Sequence, residues 1–424
     1  MNKQEFKETE IGRIPIEWEV KKIVDLFKII TGTTPSTKQK GYWSNGHINW
    51  ITPGDMSKFN EELFIENSER KITERGLRET NLTLMPNESI IISTRAPVGY
   101  VVIVNGEATF NQGCKGLIPN RPKEINSIFY AYYLLNKKTL LQHSSSGSTF
   151  KELSKKTLED FNIIFIPLPE QNKIAEILSS VDNTIKEVDE SIAKTEKLKK
   201  ALMQELLTKG IGHTEFKETE IGEIPEEWEV VKLGGESIAK VRGNRTINRF
   251  DIVAFIPMEY ISESNLFVRY EMRFREEVKS FTYCECGDLL LAKITPSLEN
   301  GKQGIVPDVL PNGFALATTE VFPILCKGIE KLFLYYLLKF SRFRNKIIFS
   351  MIGTTGRQRA SKKSVENLFI PLPPLREQNK IAEILSTVDE RIQLLKNKRN
   401  KLERVKKGLM NDLLIGRRRV KVEA

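Results

Sequence analysis

Apolar residues recur at alternating intervals of four and three along residues 170–207. One row holds Ile174, Val181, Val188 and Leu202; a second, four residues on, holds Leu178, Ile185, Ile192 and Leu206. The pattern returns at 377–414, with Ile381, Val388, Leu395, Leu402 and Leu409 in one row and Leu385, Ile392 and Leu413 in the other. Spacing that averages 3.5 residues keeps one stripe facing a partner helix, so both segments predict long coiled-coil helices. Glu170-Gln171-Asn172-Lys173-Ile174-Ala175-Glu176-Ile177-Leu178 opens the first and is repeated at 377–385; the 207-residue offset holds through both segments without a gap. Even the interruptions match, since Lys199 and Lys406 occupy equivalent seam positions. Each helix follows a proline-rich strand end, Ile166-Pro-Leu-Pro169 or Ile370-Pro-Leu-Pro-Pro374, and proline suits a first turn where its missing donor is not needed. At 1.5 Å per residue each would reach about 57 Å. A long helix inside an ordinary bundle would carry the same stripe; two helices of equal, gap-free length favour a ruler.

The rest of the chain repeats as well. Phe6-Lys-Glu-Thr-Glu-Ile-Gly12-Arg13-Ile-Pro15-Ile16-Glu-Trp18-Glu-Val20 returns 210 residues later as Phe216 to Val230, changed only at Glu223 and Glu226. The chain therefore reads as a tandem duplication of entry segment, globular body and long helix, and the entry tryptophans read as anchors against the base of a helix. In the first body, residues 89–94 and 100–104 are rich in Ile and Val, bounded by Pro and Gly, and predict strands. Residues 128–141 predict an amphipathic helix, followed by the polar stretch 144–151 and a helix start at Ser154-Lys155-Lys156. The second body shares this plan but few residues: a strand at 288–293, turn residues over 295–304, a helix at 331–347, the polar loop Gly353-Thr-Thr-Gly-Arg357-Gln-Arg359, and a helix start at Ser361-Lys362-Lys363. Equal scaffolds with unequal sequences between them suit two readers of different targets. Faster divergence of exposed bodies than of packed helices would leave the same trace.

Composition narrows the choice. At 424 residues the chain is long enough for two or three full-sized domains. No apolar run approaches the roughly 18 residues of a membrane span, and the polar first ten residues do not resemble a secretory signal; a cytoplasmic protein without membrane contact is expected. Cys284 and Cys286 form a C-x-C, not the C-x2-C of a zinc knuckle, and the scattered His47, His143 and His213 add nothing, so no metal and no cofactor are expected. The net charge of +10 points to a polyanion, but +9 of it lies in residues 391–424, where 12 Lys and Arg face three acids. The helical segments differ in sign, with eight acids and six bases in 170–207 against six and nine in 377–414, which favours their pairing with each other.

No Gly-x4-Gly-Lys-[Ser/Thr] loop, Gly-x-Gly-x-x-Gly turn, Asn/Asp-Pro-Pro-Tyr/Phe tetrapeptide or His-x3-His pair is present, and Pro307-Asp308 lacks a downstream Glu-x-Lys. Binding, not catalysis, is the expectation. The paired Glu-Ile-Gly-x-Ile-Pro-x-Glu-Trp segments, the paired Pro-Leu-Pro and Glu-Gln-x-Lys-Ile-Ala helices, and the two dissimilar bodies together resemble the DNA specificity subunits of Type I restriction-modification systems over nearly the whole chain. The resemblance implies an α+β, pseudo-twofold duplicated protein in which two globular α/β target recognition domains are separated by two long antiparallel helices forming a coiled-coil spacer. Residues 1–165 would hold the first entry segment and recognition domain, 166–210 the first spacer helix, 211–369 the second entry segment and domain, and 370–424 the second spacer helix with a basic tail. It implies a non-catalytic subunit that reads a bipartite double-stranded DNA target, one domain per half-site. Its expected partners are two modification (methyltransferase) subunits, which use S-adenosylmethionine to methylate adenine, and restriction subunits that translocate and cleave. A self-sufficient methyltransferase or nuclease, and a protein-only coiled-coil scaffold, remain the alternative readings.

Base edges call for Arg, Asn, Gln or Lys, and phosphates accept Ser, Thr and Lys. On that basis the DNA-binding candidates are Asn45, Thr94, Arg95, Asn111, Gln112, Thr149 and Lys151 in the first body. In the second they are Arg242, Asn244, Arg245, Lys293, Thr354, Thr355, Arg357, Gln358 and Arg359. A solvated loop would account for each singly; Arg357 and Arg359 on one loop stand out as a group. The Arg417-Arg418-Arg419 tail reads equally as a phosphate arm and as a solvated terminus.

Overall fold

The structure, a computed structural model, describes residues 5–58, 62–95, 97–145, 152–247, 249–354 and 356–421. It divides into two compact units: Met1–Asp189 with Asn397–Ala424, and Glu190–Lys396. The seam pattern becomes two 39-residue helices, Leu168–Leu206 and Leu375–Leu413. Each helix supplies one stretch to each unit.

In the first unit, the entry segment forms a hairpin of Phe6–Thr9 with Gly12–Pro15, and Glu19–Lys22 then pairs antiparallel with Asn162–Phe165 at the foot of the first long helix. Between them lies the body. Its main sheet has five strands in the order Phe27–Thr31, Cys114–Pro119, Ile90–Ser93, Val101–Val104 and Phe64–Ile65. A smaller sheet sets Ile48–Ile51 between Ala108–Phe110 and Lys71–Ile72. The two strands expected at 89–94 and 100–104 are the wholly buried pair Ile90–Ser93 and Val101–Val104. The second unit repeats the plan with two four-stranded sheets. One orders Ala239–Val241, Val321–Cys326, Leu289–Ala292 and Gln303–Ile305; the other orders Glu271–Phe274, Ile252–Ile256, Phe314–Ala317 and Thr282–Glu285.

Two expected helices are each broken. The stretch 128–141 is Ser127–Asn136 followed by Lys138–His143, and 331–347 is Lys331–Lys339 followed by Ser341–Phe349. The apolar pattern runs across both breaks, but the backbone leaves the helical region at Lys137 (φ −92°, ψ 9°) and at Phe340 (φ −69°, ψ 124°). The short helices after the polar loops begin where expected, with Ser154 and Ser361 accepting from the amides of Thr157 and Ser364 at 3.0 Å each.

The seam positions are buried or partly buried, and the helices run antiparallel in each unit. In the first unit Asp182 faces Lys406 and Asp189 faces Arg399, at 2.6 and 2.7 Å. In the second, Lys199 faces Asp389 and Glu196 faces Lys396, at 2.6 and 2.8 Å. Residue numbers rise along one helix as they fall along the other. Ile174, Leu178, Leu413 and Leu414 join the core of the first unit; Leu206, Leu207, Ile381 and Leu385 join that of the second.

The entry tryptophans are wedges at the helix ends. Trp18, fully buried, donates from Nε1 to Glu170 at 3.1 Å, and Arg419 grips the same carboxylate through its Nε and a second guanidinium nitrogen. Gly416, at φ +72°, lies so close that a Cβ would stand 2.5 Å from Pro15 and 3.0 Å from the Trp18 ring, a conformation and an approach that favour glycine. In the second unit Trp228 donates to Glu377 at 3.0 Å, His213 Nε2 contacts that carboxylate at 3.0 and 3.1 Å, and Gly210, at φ +68°, fills the place against the ring. Of the tail arginines, Arg419 is thus held by Glu170 and Glu17, and Arg418 pairs with Asp412 at 3.4 Å.

Candidate nucleic-acid interface

In both units an inner strand of a sheet, Ile90–Ser93 or Leu289–Ala292, runs out into the same junction. Thr94 follows Ile90–Ser93; its amide donates to the Gly113 carbonyl at 2.8 Å, and its own carbonyl accepts from Leu153, just before the Ser154 cap, at 2.8 Å. Lys293 follows Leu289–Ala292; its amide donates to the Glu320 carbonyl at 3.0 Å, and its carbonyl accepts from Ala360, just before the Ser361 cap, at 2.8 Å. The backbone is one design. The side chains differ at every corresponding point: Thr94 against Lys293, Gly113 against Glu320, Glu152 against Arg359.

Around the first junction the structure gathers four of the described candidates. Arg95 bridges to Glu152 at 3.1 Å with nearly half its side chain in solvent. Asn111 Oδ1 accepts from the Gly113 amide at 2.9 Å, closing a side-chain turn that presents exposed Gln112, which accepts from the Thr34 hydroxyl. Gly32 makes this crossing possible, since a Cβ there would meet the Asn111 carbonyl oxygen at 2.0 Å. Thr94 itself is fully buried and turns its hydroxyl onto the Gly113 carbonyl at 3.2 Å. It builds the junction and offers no surface. Beside it Lys115 is buried in the sheet, and desolvation lowers its pKa. Asn45 lies apart, in the left-handed region at φ +60° within the turn before Ile48–Ile51. Thr149 and Lys151 lie outside the described residues.

Around the second junction stand Lys293, Thr354, Arg357, Gln358 and Arg359; Thr355 lies outside the described residues. The loop is pinned by Arg359, whose backbone exchanges two 3.0 Å hydrogen bonds with Ile352, and by the Gln358 carbonyl, which accepts from Thr295 at 3.0 Å. Arg359 pairs with Glu320 at 2.6 Å and remains largely exposed. Thr354 and Arg357 are exposed, the Arg357 amide donating to the Thr354 carbonyl at 2.9 Å. Burial pulls the Lys293 ammonium below its ordinary range, with Glu320 opposing and Arg359 reinforcing the shift, and its Nζ sits 5.4 Å from the Phe322 ring.

The remaining three candidates are tied to acids and backbone of the second body, Arg242 mostly buried and Asn244 and Arg245 exposed. Arg242 reaches Asp288 at 2.6 and 2.8 Å and Glu285 at 2.9 Å; Asp288 is fully buried, and its hydrogen bond holds the guanidinium above its ordinary range. Asn244 brackets the strand Thr282–Glu285, donating to the Phe281 carbonyl and accepting from the Tyr283 amide at 2.9 Å. Arg245 pairs with Glu285 at 3.0 Å over the Tyr283 ring. Ligand contact by Arg242 would require breaking its buried pair.

Sequence reasoning overlooked a cation–aromatic stack. Arg70 lies 3.7 Å from the Trp43 ring centroid and 5.3 Å from that of Trp50, and the two indoles meet edge to face at 5.0 Å. Tyr42, Trp43 and Trp50 stand close together in the sequence, whereas Arg70 comes twenty residues after Trp50.

Two segments, 15–197 and 225–404, match the family model described as the Type I restriction modification DNA specificity domain. Among curated relatives, the chain is 32% identical to the Type I restriction enzyme MjaIX specificity subunit of Methanocaldococcus jannaschii, over 98% of this chain and 97% of that one. It is 29% identical to the MjaVIII specificity subunit of the same organism, over 99% and 97%. In fold it is similar to the Type I restriction-modification S subunit from M. genitalium, with a TM-score of 0.58 and 16% identity over 94% of this chain and 96% of that one.

Proposed function

Because the chain belongs to the Type I restriction-modification DNA specificity family and carries two target recognition domains, we propose that each domain reads one half of a bipartite duplex target through its junction loops. The observation that carries this reading is the shared junction: one backbone design presents Arg95, Asn111 and Gln112 in the first unit and Lys293, Arg357, Gln358 and Arg359 in the second. Ion pairs such as Arg95–Glu152 and Arg359–Glu320 keep the cations oriented in the free protein and give way to phosphates or base edges on binding. The first domain is assigned to residues 1–165 and the second to 211–369, with spacer helices at 166–210 and 370–424. Thr149, Lys151 and Thr355 extend the same loops in sequence.

The chain acts without chemistry of its own. Two modification subunits dock on the helices and entry segments and methylate adenine within the target, and restriction subunits join where cleavage follows, all in the cytoplasm. The test is selection from random duplex DNA by the chain with its modification subunits. A target of two short words separated by a fixed gap is expected, with exchange of the 353–359 loop altering one word only. A single uninterrupted word, or none, overturns the proposal.

A further inference from the structure

Two fully buried tyrosines on the recognition-domain helices, Tyr132 and Tyr336, reach the same kind of partner. Tyr132 donates from its hydroxyl to Asp182 Oδ2 at 2.6 Å, and Lys406 donates to Asp182 Oδ1 at 2.6 Å. Tyr336 donates to Asp389 Oδ2 at 2.8 Å, and Lys199 donates to Asp389 Oδ1 at 2.6 Å. The match extends to the aromatic faces, with Lys406 Nζ 5.9 Å from the Tyr132 ring centroid and Lys199 Nζ 5.5 Å from that of Tyr336. One aspartate thus joins three elements in each unit: a recognition-domain helix, the long helix that carries the aspartate, and the antiparallel long helix. The lysines are the same ones that interrupt the apolar seam.

A charged pair in an otherwise apolar seam is poor glue but a good index mark, because most other alignments strand a charge. In the second unit a slide of one heptad would set Asp389 against Ile192 or Leu206. In the first it would set Asp182 against Leu413, or against Arg399, which already serves Asp189. The aspartate's second oxygen ties the same mark to the recognition domain, so helix register and domain seating are fixed by one carboxylate. The tyrosine hydroxyls are well desolvated, which leaves them few other acceptors.

We propose that Asp182 and Asp389 are positioning residues for target reading: with Tyr132 and Lys406, and with Tyr336 and Lys199, they seat each recognition domain on its helix pair and so make the protein intolerant of a wrong gap between half-sites. The proposal rests on the reading of the chain as a two-part DNA reader. Its test uses the full chain with its modification subunits and compares wild type with Asp389→Asn, Lys199→Met, Lys199→Arg and the milder Tyr336→Phe. Expected for Asp389→Asn and Lys199→Met is an unchanged preference within each half-site, with discrimination against a gap one base pair longer or shorter falling by about tenfold, the equivalent of one charged hydrogen bond. Lys199→Arg, which keeps a cation on Asp389, retains discrimination. Unaltered gap discrimination in Asp389→Asn, or loss of a half-site word with the gap still enforced, overturns the proposal.

Hydrogen exchange of the free chain gives a reading that needs no DNA. Amides of Lys331–Lys339 exchange at least about tenfold faster in Asp389→Asn and in Tyr336→Phe if the seating is lost; unchanged exchange in both overturns it. Should wild type select no gapped target, the two-part reading falls, and exchange still decides whether the aspartates seat the domains.

Discussion

Arg419 offers the sharpest test of how the first unit is closed. Its guanidinium grips Glu170, whose side chain is only 4% exposed, and reaches Glu17 at 2.8 Å while remaining 30% exposed itself. Removing one partner of a buried ion pair costs about 3–5 kcal/mol, because the other charge stays behind. Partial solvation of Arg419 and the surviving bond from Trp18 reduce that to about 2–3 kcal/mol for Arg419→Ala. In a unit of this size, about 2–4 °C per kcal/mol gives a fall of roughly 4–12 °C in the melting of the first unit. The control is Arg418→Ala: its side chain is 80% exposed and its pair with Asp412 is 3.4 Å long, so its loss costs less than about 1 kcal/mol. A second control is Glu170→Gln in the Arg419→Ala background, which removes the stranded charge and recovers part of the loss. Calorimetry of the wild type and these three variants is the assay. An Arg419→Ala melt no different from Arg418→Ala, or further loss on adding Glu170→Gln, would refute the buried-pair account. Arg419→Ala should also leave the salt dependence of DNA binding unchanged, as a phosphate contact would not.

Four further outcomes follow from named contacts. Gly210→Ala places a Cβ 2.4 Å from the Glu377 carboxylate and 2.7 Å from Trp228 at φ +68°; it should lower second-unit stability by more than Gly212→Ala, where φ is +76° but the space is open and only the backbone cost of about 1–2 kcal/mol applies. Arg242→Ala leaves fully buried Asp288 unpaired and should cost about 3–5 kcal/mol in the same calorimetric scan. Arg357→Ala should leave the melting temperature unchanged but weaken DNA binding by about 1–3 kcal/mol, relaxing one target position if it reads a base and flattening the salt slope if it holds a phosphate. Burial lowers the Lys339 pKa to about 8, with Lys199 adding like-charge repulsion. Between about pH 8 and the ordinary lysine value of 10.5 the unfolded chain binds more protons, so wild-type stability rises across that window; Lys339→Met should flatten the rise and stabilise the second unit at pH 7.

The features legible in the sequence were those written as periodicity or as repetition. Heptad spacing fixes which side of each long helix is buried, and nearly identical entry segments announce that Trp18 and Trp228 do the same work. Capping serines at 154 and 361 were readable because the cap is a local hydrogen bond. The breaks at Lys137 and Phe340 were hidden, since neither carries a proline or glycine and the apolar pattern continues past both. Polar residue types on loops predicted exposure, and Arg95, Gln112, Arg357 and Arg359 do reach solvent. Residue type could not show that Thr94 is buried or that Arg242 and Asn244 are engaged by other groups, because those groups, Gly113, Asp288 and Phe281, lie 19 to 46 residues away. Lys199 and Lys406 showed the reverse limit: their equivalence was plain, but their aspartate partners emerge only when the helices are laid antiparallel.

The make-up of the first unit has a consequence for biosynthesis. Its core needs Leu413 and Leu414, yet its other residues end at Asp189 and the whole of Glu190–Lys396 is translated in between. At about 5–20 residues per second, the early portion waits roughly 10–45 s on the ribosome for the stretch that completes it. Throughout that interval Trp18 and Glu170 stand without Gly416 and Arg419, so a chain truncated within the second unit also lacks part of the first unit's packing.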